Sequence, residues 1–292
     1  MNGYRRMKDK TLGIVGLGYV GQAVYHGFAN FFNISTYDIN KNSTCNSLEE
    51  LCSETNIIFV CLPTPMKESG ECDISIVEGV MQKLNSVCTG HLIILKSTLP
   101  PTTTDKLAEK CNNLCIVFNP EFLTEANYLR DFIECNRVIL GGKPADTSKV
   151  RKIYETRFSY KQIIETSSTV AEMVKYTGNT FLATKVSFAN EISEICNKIG
   201  INYNEVAKYT MLDERVGKTH WKVPGPDGHY GFGGSCFPKD INGLIYFAKN
   251  IGSEPSILKA AWNKNLKVRP EKDWEKLEGR AIIKNKGDKN EQ

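Results

Sequence analysis

The sequence predicts an α/β protein: a doubly wound parallel sheet comes first, and a mainly helical part with one long helix follows. Short apolar runs alternate with helical segments through residues 1–166, which is typical of parallel strands buried on both faces. Over residues 167–266 the apolar residues recur at helical spacing instead. The 292-residue chain is long enough for both domains, and residues 267–292, dense in mixed charge, are expected to form a charged tail.

Composition argues against several classes of protein. The net charge is only +4, from 37 basic and 33 acidic residues, so a dedicated nucleic-acid binder is not expected. The ten cysteines form no CxxC pair and no metal-ligand spacing with the four histidines, so no metal site is expected. Many free thiols, with no cleavable leader and no membrane-length apolar span, favour a cytoplasmic protein without a membrane partner.

The first strand and helix enclose a turn suited to a dinucleotide. An apolar run at 12–15 leads into Gly16-Leu-Gly18-Tyr19-Val20-Gly21, and a helix is expected to follow to about residue 32. Gly16 permits the tight turn, Gly18 lets a pyrophosphate approach, and Gly21 lets helix and strand pack closely. Asp38 ends the next strand, where its carboxylate can accept from both ribose hydroxyls and repel a 2′-phosphate. The pattern therefore predicts an NAD site that discriminates against NADP.

Four more apolar runs extend the predicted sheet. They lie at 57–62, 92–95, 114–118 and 138–140, with helices expected at about 74–87, 103–111 and 147–158. Ligands of such sheets lie beyond the carboxyl ends of the strands, so polar residues there are candidate site residues. They are Thr64, Ser97, Thr98, Glu121 and Glu125. Each could serve only its own turn, but their shared edge favours a site.

A long helix is predicted from about Thr169 to Ile199. Thr169-Val-Ala-Glu172 has the form of a capping box, and Gly200 is a natural stop. Apolar residues lie on more than one face of this helix, so we expect a homodimer packed through it. Those residues are Val174, Phe181, Leu182, Val186, Phe188, Ile192, Ile195 and Ile199.

Polar residues on the same helix are further candidates. Lys175 and Asn179 are spaced i,i+4 and therefore share one face. Gly178 beside them lowers helix stability, which indicates close packing at that point. A solvated Lys–Asn surface pair is the alternative interpretation.

The stretch Gly231-Phe-Gly-Gly-Ser-Cys236-Phe-Pro-Lys239-Asp240 places one cysteine between glycines and a pair of charged residues. Glycines there let the backbone lie close to a ligand, and the two charges could set the ionisation of the thiol. A buried structural cysteine in a tight turn is the alternative. A last helix is expected from Asp240 to about Leu266.

Six motifs together resemble the nucleotide-sugar dehydrogenases of the UDP-glucose/GDP-mannose dehydrogenase family. In family order they are 16–21, Val60-Cys-Leu-Pro-Thr-Pro65, Lys96-Ser-Thr-Leu-Pro100, Asn119-Pro-Glu-Phe-Leu-Thr-Glu125, Ala171-Glu-Met-Val-Lys-Tyr-Thr-Gly-Asn179 and 231–240. The resemblance implies a Rossmann-like first domain and a central domain whose long helix usually forms the dimer core. Ala126 departs from the glycine that the family normally has there. The chain also ends near where the family's third domain begins, which makes a separate partner chain a candidate source of that domain.

The resemblance implies a four-electron oxidation of a nucleotide-sugar C6 alcohol by NAD, from UDP-glucose to UDP-glucuronate. Cys236 would form a thiohemiacetal and then a thioester. The other implied catalytic residues are Lys175, Asn179, Asp240, Thr98 and Glu121. The implied NAD-binding residues are Gly16, Gly18, Tyr19, Val20, Gly21, Asp38, Thr64, Pro65, Ser97, Thr98, Glu125 and Lys239. The implied substrate contacts are Glu121, Phe122, Leu123, Lys175, Asn179, Arg215, Phe232, Gly233 and Cys236.

Three alternatives stay open at this point. GDP-mannose and UDP-N-acetylmannosamine dehydrogenases share the same motif framework, so the sugar is not decided. A two-electron 3-hydroxyacid dehydrogenase also joins a Rossmann domain to a helix bearing Lys-x-x-x-Asn, but it needs no nucleophilic thiol. The third alternative is a shortened homologue that binds NAD without catalysis and serves as a partner or regulatory subunit.

Overall fold

The computed structural model describes residues 11–283, and the chain divides into two compact units. Unit 1 comprises the chain to Thr64 together with Ile74–Lys175. Unit 2 comprises Pro65–Asp73 and the chain from Tyr176. These compact units therefore divide within the long helix, and the domain boundary expected at residue 166 stays a prediction.

Unit 1 is built on a seven-stranded sheet. The strands are β1 (Thr11–Val15), β2 (Asn33–Tyr37), β3 (Ile57–Val60), β4 (Leu92–Leu95), β5 (Cys115–Phe118), β6 (Arg137–Gly142) and β7 (Gln162–Thr166). Their spatial order is β2-β1-β3-β4-β5-β6-β7. All neighbouring pairs are parallel except β5 and β6. The predicted α/β class is confirmed, with this one antiparallel pair as the difference.

Six helices of the described part of unit 1 cover the sheet. They are α1 (Tyr19–Phe28), α2 (Leu48–Glu54), α3 (Ser75–Val87), α4 (Thr103–Lys110), α5 (Tyr128–Glu134) and α6 (Pro144–Arg157). The central strands are buried on both faces: Ile93 and Leu95 belong to one apolar cluster, and Ile94 belongs to the other. This two-sided burial explains why the central strands read as continuous apolar runs.

Sequence patterns did not reveal α2, α5 or β7. The two helices are only seven residues long, too short for a clear helical period. Strand β7 lies at the sheet edge, where its residues are partly exposed and no apolar run is required.

The reversal of β6 decides where the long helix starts. Gly141 of β6 pairs with Phe118, so β6 and its parallel neighbour β7 run toward the edge where β1–β5 begin. Helix α7 (Ser168–Ile199) follows β7 directly. A Cβ on Gly141 would lie 2.6 Å from the Cβ of Ala171, so the first turns of α7 pack closely on β6.

The start of α7 differs from the predicted capping box. The Ser167 hydroxyl accepts a hydrogen bond from the Val170 amide at 3.3 Å, so Ser167 caps the helix. Glu172 instead accepts from the amide and hydroxyl of Thr104, at 2.7 and 2.6 Å. The far end agrees with the prediction: the helix stops at Ile199, and Gly200 has a φ of +76°.

Unit 2 is helical. Besides most of α7 it contains α8 (Tyr203–Thr210), α9 (Phe237–Asn250) and α10 (Ser256–Val268), with short 3-10 helices at Glu214–Val216 and Asp273–Lys276. The single helix expected from Asp240 to Leu266 is therefore two helices, broken where Gly252 adopts a φ of +77° and Pro255 follows. In the part of the chain that the structure describes, no helix has the length and apolarity needed to cross a bilayer.

The stretch that begins the expected charged tail is partly packed. Arg269, Trp274 and Ala281 are each at most 3 % exposed. The amide of Met66 donates to the Ala281 carbonyl at 2.8 Å, and the amide of Ile283 donates to the Met66 carbonyl at 3.0 Å. Trp274 stacks at a tilt on Trp262, with ring centroids 5.2 Å apart. The sequence pattern did not predict this packing, because the apolar residues of this stretch are isolated among many charged residues.

Candidate active site

The glycine-rich turn has a different requirement at each glycine. Gly16 has a φ of +89°, and a Cβ there would lie 2.5 Å from the Cys61 carbonyl oxygen. A Cβ on Gly21 would lie 1.9 Å from the Gly16 carbonyl oxygen, so only glycine permits this helix-to-turn contact. A Cβ on Gly18 would meet no described atom within 4 Å. The space at Gly18, at the N-terminus of α1, fits the approach of a pyrophosphate.

Asp38 lies beside this turn. Its Oδ2 accepts from the Leu17 amide at 2.6 Å, and its Oδ1 accepts from the Asn40 amide at 2.8 Å. Tyr19 and Val20 form the first turn of α1. Sequence reasoning missed Lys41, whose Nζ donates to the Leu17 carbonyl at 2.6 Å. The turn, the helix N-terminus and the acidic residue thus form a set suited to the pyrophosphate and adenosine ribose of NAD.

Hydroxyl groups join the loops that follow β3 and β4. The Thr64 hydroxyl donates to the Thr98 carbonyl at 2.9 Å, and the Leu62 amide donates to the Ser97 hydroxyl at 2.9 Å. Thr64, Ser97 and Thr98 are all buried. Pro65 begins the segment assigned to unit 2, and its carbonyl accepts from the Asp73 amide at 2.8 Å. The three hydroxyl residues therefore lie together at the predicted edge of the sheet.

Glu121 and Lys175 form a buried ion pair. Lys175 Nζ lies 2.9 Å from Glu121 Oε1 and 2.6 Å from its carbonyl oxygen, and both side chains are at most 5 % exposed. Glu121 Oε2 accepts from the Leu123 amide at 2.6 Å. The Phe122 ring centroid lies 5.6 Å from the same ammonium group. Glu125, in contrast, begins a 3-10 helix (Glu125–Asn127) and is exposed.

Lys96 supports this edge from inside the fold, and the sequence identified it only as part of a motif. Its Nζ donates to Asn119 Oδ1 at 2.9 Å, and the Tyr154 hydroxyl donates to the same oxygen at 2.5 Å. Asn119 Nδ2 in turn donates to the Ile139 carbonyl at 2.9 Å. Burial lowers the pKa of Lys96 to about 8. This network ties the residue before Ser97 to the loop that carries Glu121.

In unit 2, Asp240 is the centre of a second polar cluster. It is 1 % exposed, and its Oδ2 accepts from Asn179 Nδ2 at 2.6 Å. Lys239 Nζ lies 2.5 Å from Asp240 Oδ1. Burial opposes the charge on Lys239, but the Asp240 carboxylate, followed by the thiolate forms of Cys236 and Cys72, raises the pKa of Lys239 above its ordinary value. The ammonium group thus contacts a carboxylate and interacts electrostatically with two thiols.

Cys236 precedes α9 directly, and its carbonyl accepts from the Asp240 amide at 2.9 Å. It is partly exposed, unlike seven of the ten cysteines, which are buried. A helix N-terminus and a nearby cation both stabilise a thiolate. The structure therefore brings together Cys236, Lys239, Asp240 and Asn179, which the sequence had selected.

Side chains of unit 2 hold the loop that leads to Cys236. The Gly231 amide donates to Asn190 Oδ1 at 3.1 Å. Asn265 accepts from the Phe232 amide at 2.7 Å and donates to the Phe232 carbonyl at 2.9 Å. The Gly234 amide donates to Asp273 Oδ2 at 2.9 Å. Sequence reasoning missed these three residues, because an isolated Asn or Asp on a helix carries no recognisable pattern.

The loop glycines leave room for these side chains. A Cβ on Gly231 would lie 2.4 Å from Asn265 Oδ1, and one on Gly233 would lie 2.2 Å from Asp273 Oδ1. At both positions, side chains of the protein itself therefore lie against the glycine backbone. Arg269 anchors the arrangement, since it bonds Asp273 at 2.6 Å and Asp227 at 2.8 Å.

Three residues selected from the sequence have surroundings that differ from those expected. The Phe232 ring is 4 % exposed and packs with the rings of Phe237 and Trp262. Arg215 is exposed and pairs with its neighbour Asp213 at 2.5 Å. A Cβ on Gly178 would meet no described atom within 4 Å, so the expected close packing there is not made by the described chain.

Comparison with known proteins gives consistent matches. Residues 40–158 match the NAD-binding domain of the UDP-glucose/GDP-mannose dehydrogenase family, and residues 169–267 match its central domain. A UDP-glucose 6-dehydrogenase of Rickettsia bellii is 38% identical over 229 residues, which is 76% of this chain and 51% of that protein. One of Bacillus subtilis is 31% identical over 232 residues, which is 77% of this chain and 49% of that protein. The chain thus spans about half the length of the curated relatives it matches.

Solved structures agree with the described fold. The UDP-glucose dehydrogenase of the archaeon Pyrobaculum islandicum superposes with a TM-score of 0.82 at 28% sequence identity. The match covers 95% of this chain and 72% of that one. The similarity therefore extends through both units.

Proposed function

Because the chain belongs to the UDP-glucose/GDP-mannose dehydrogenase family, we propose that it oxidises the C6 alcohol of UDP-glucose to a carboxylate with NAD. The observation that carries this proposal is the cluster of Cys236, Lys239, Asp240 and Asn179 at the start of α9. A two-electron dehydrogenase has no need for a thiol held beside a cation and a carboxylate. A four-electron oxidation does need such a thiol.

Unit 1 supplies the cofactor site of the proposed enzyme. Bound NAD would accept one hydride from C6 in each of two successive oxidations. The chain's own part is to bind the pyrophosphate at Gly18 and the N-terminus of α1, and to bind the ribose hydroxyls through Asp38. The carboxylate of Asp38 would also repel a 2′-phosphate.

Cys236 would act between the two oxidations. The first leaves an aldehyde, whose carbonyl carbon the Cys236 thiolate attacks, and the alkoxide takes up a proton to give a thiohemiacetal. Loss of hydride and of that proton gives a thioester. Water then adds to the thioester, and the C–S bond breaks to release the carboxylate product and the thiolate. The Lys239 ammonium group belongs to the same cluster, and its charge interacts with that of the Cys236 thiolate.

The polar residues around the sugar would stabilise and transfer charge. Lys175 and Asn179, one turn apart on α7, are proposed to donate to the oxyanion that develops at C6. Asp240, Thr98 and Glu121 are proposed to orient the hydrolytic water and accept its proton. The Glu121–Lys175 pair fixes the ammonium group before substrate arrives, since both partners are buried. Such preorganised donors are each worth roughly 3–4 kcal/mol in the transition state.

Counting NADH tests this proposal. The unmodified protein should form two NADH per UDP-glucose, whereas a 3-hydroxyacid dehydrogenase forms one NADH from its substrate. Cys236→Ala should still bind NAD but should form no UDP-glucuronate. Cys135→Ala is the matched control, because Cys135 is also partly exposed but lies in unit 1. Acid formation by Cys236→Ala would exclude the proposed nucleophile, and GDP-mannose and UDP-N-acetylmannosamine tested in parallel would identify the sugar.

We also propose that two copies of the chain associate through α7. Large apolar side chains on this helix are exposed in the described chain, namely Val170, Met173, Phe181, Phe188, Ile195 and Ile199. Phe181, Phe188 and Ile195 recur every seven residues and so lie along one stripe of the helix. Burial of this stripe against a second copy would remove it from water.

A further inference from the structure

Two cysteines and a histidine meet in unit 1, away from the residues assigned above. Cys52 lies in α2, Cys88 caps the end of α3, and His91 directly precedes β4. One ligand atom from each lies within 4.8 Å of the others. Both thiols are at most 9 % exposed, and the Sγ atoms are 2.7 Å apart. The sequence concealed this group, because Cys52 is far from the other two residues along the chain.

The backbone around the group is fixed by hydrogen bonds. The Cys88 amide donates to the Leu84 carbonyl at 2.9 Å, the Gly90 amide donates to the Asn113 carbonyl at 2.7 Å, and the Leu92 amide donates to the Asn56 carbonyl at 2.8 Å. These bonds hold the turn between α3 and β4 on both sides of His91. Two helices and this hydrogen-bonded turn therefore hold Cys52, Cys88 and His91 close together.

The imidazole of His91 has an unused acceptor in this arrangement. Its Nδ1 lies 3.3 Å from the Thr89 carbonyl oxygen, and its Nε2 lies 3.1 Å from the Cys52 carbonyl oxygen. A neutral imidazole has one N–H donor and one nitrogen lone pair, whereas a carbonyl oxygen only accepts. One ring nitrogen can therefore donate to a carbonyl while the lone pair of the other is left for a different partner. Metal-binding histidines use this same division between backbone carbonyl and metal.

We propose that Cys52, Cys88 and His91 bind a thiophilic divalent cation of the Zn²⁺ class, with water as the fourth ligand. Zinc binds sulfur at about 2.3 Å and imidazole nitrogen at about 2.0 Å, so tetrahedral ligand atoms lie roughly 3.5–3.8 Å apart. The observed cluster fits within that size after the thiols separate by about 1 Å. His91 is half-buried and provides the side from which water reaches the ion.

A metal fits the group better than a disulfide between the two thiols. A disulfide would use only the two sulfur atoms, whereas a third ligand atom, on His91, lies within 4.8 Å of both. Binding of the cation releases one proton from each thiol to solvent and involves no oxidant. The two thiolates then compensate the charge of the ion, which a buried site requires.

The site would fasten α2 and α3 at the edge where β3 and β4 begin. The glycine-rich turn, Thr98 and Glu121 lie at the opposite edge, beyond the carboxyl ends of the strands. We therefore assign the ion a stabilising role, separate from the chemistry at C6. Zn²⁺ should raise the thermal midpoint of the full chain without changing the number of NADH formed per sugar.

Cobalt titration of the reduced full-length protein tests the site. We expect one Co²⁺ per chain, with intense tetrahedral ligand-field bands and a thiolate-to-cobalt charge-transfer band, and displacement by Zn²⁺. Cys52→Ser and His91→Ala should each weaken binding by at least the ~10–100-fold typical of a lost supporting contact. Cys111→Ser is the matched thiol control, since Cys111 is buried in the same apolar cluster. His26→Ala, exposed on α1, is the matched imidazole control.

Folding of each variant is checked by NAD binding. Because His91 is only half-buried, His91→Ala provides the variant least dependent on core packing. Undiminished cobalt binding by His91→Ala, an octahedral spectrum, or no binding by the unmodified protein would overturn the proposal. A Cys52–Cys88 disulfide found by mass spectrometry in a protein that binds no cobalt when reduced would assign the pair to redox chemistry instead.

Discussion

Asn265 shows how one buried amide can position a loop. It is fully buried on α10 and bonds both the amide and the carbonyl of Phe232, four residues before Cys236. No other single side chain described here holds both backbone groups of a residue in that loop. Its contribution should therefore appear both in stability and in the reaction assigned to Cys236.

We predict that Asn265→Leu lowers the free energy of unfolding by roughly 2–6 kcal/mol, because two buried backbone groups lose their partners. Turnover should fall in parallel, whereas NAD affinity should not change. Urea denaturation and calorimetry measure the two effects. Asn263→Leu is the control, since Asn263 is exposed on the same helix. Equal stability of the two variants would contradict the role given to Asn265.

Glu172 is a buried carboxyl group with little compensation. It is fully buried, and in the described chain its Oε2 has no hydrogen-bond partner. Burial raises its pKa to about 7, against an opposing effect of the Thr104 hydrogen bonds. The protonated form is therefore favoured in the folded state. Folded protein retains this proton between about pH 4.5 and 7, where unfolded protein has lost it.

The protonated Glu172 side chain should thus contribute fully to the free energy of unfolding below about pH 4.5. This contribution is lost as the pH rises through 7. We predict that the unfolding free energy of Glu172→Gln, relative to the unmodified protein, rises by roughly 2–3 kcal/mol between pH 5 and pH 8. Urea denaturation at both pH values measures the difference. Glu191→Gln, at an exposed position of α7, should show no such pH dependence. A pH-independent difference for Glu172→Gln would refute the assignment.

At the residue level, the sequence predicted the groups that belong to recognisable motifs. Glu121, Lys175, Asn179 and Asp240 do pair as polar clusters in the structure. Supporting residues such as Asn190 and Asn265 could not be found, because their partners are backbone groups far away along the chain. The motif identifies a reacting group, but only the fold shows what holds it.

Among the elements, α7 has apolar residues both in the core and at the surface. It is 32 residues long and contributes residues to both units. Val174, Val186 and Ile192 pack against the chain's own core, whereas Phe181 and Ile195 are 64% and 48% exposed. Of the apolar faces expected from the sequence, the structure therefore buries part and leaves one stripe exposed.

We predict that the unmodified protein sediments as a dimer at micromolar concentration, because a second copy would bury this stripe. Phe181→Glu and Ile195→Glu should each give a monomer, since an unpaired charge in an apolar interface is costly. Ile257→Glu is the control: Ile257 is equally apolar and 73% exposed, but it lies on α10. Sedimentation velocity distinguishes the outcomes, and a monomeric unmodified protein would exclude the interface.

Element boundaries were predictable where backbone chemistry marks them. Gly16 and Gly200, both with positive φ, lie where the sequence placed a turn and a helix end. The direction of β6 was not predictable, because an apolar run is the same in a parallel or an antiparallel strand. The capping box failed for a related reason: Glu172 has the right spacing, but the fold provides Thr104 as a better partner.

At the scale of the whole molecule, the two units carry separate parts of the proposed reaction. The family's NAD-binding domain matches residues 40–158 and its central domain matches residues 169–267, whereas unit 1 extends to Lys175 and unit 2 includes Pro65–Asp73. Six ordered motifs were enough to predict this family and its cofactor. They could not predict that Pro65–Asp73 belongs with unit 2, where Met66 bonds to the distant residues 281 and 283.

We predict that cofactor selectivity depends on unit 1 alone. NAD should bind at least about tenfold more tightly than NADP, because Asp38 repels a 2′-phosphate, and Asp38→Ala should reduce that ratio. Cys236→Ala should leave both affinities unchanged. Calorimetric titration of the full chain gives these values, and Lys41→Ala shows whether the neighbouring ammonium group contributes. Equal affinity of the unmodified protein for both cofactors would rule out this role of Asp38.

The strand order also has a consequence for biosynthesis. From β4 onward each new strand lies beside the one made just before it, so the sheet can grow strand by strand as the chain leaves the ribosome. Met66 differs, because its backbone partners are Ala281 and Ile283. We therefore expect Met66 to wait for these backbone partners until residue 283 has been made. A chain ending at residue 280 should show fast exchange at the Met66 amide with β1–β7 protected, and slow exchange at that amide would argue against this order of events.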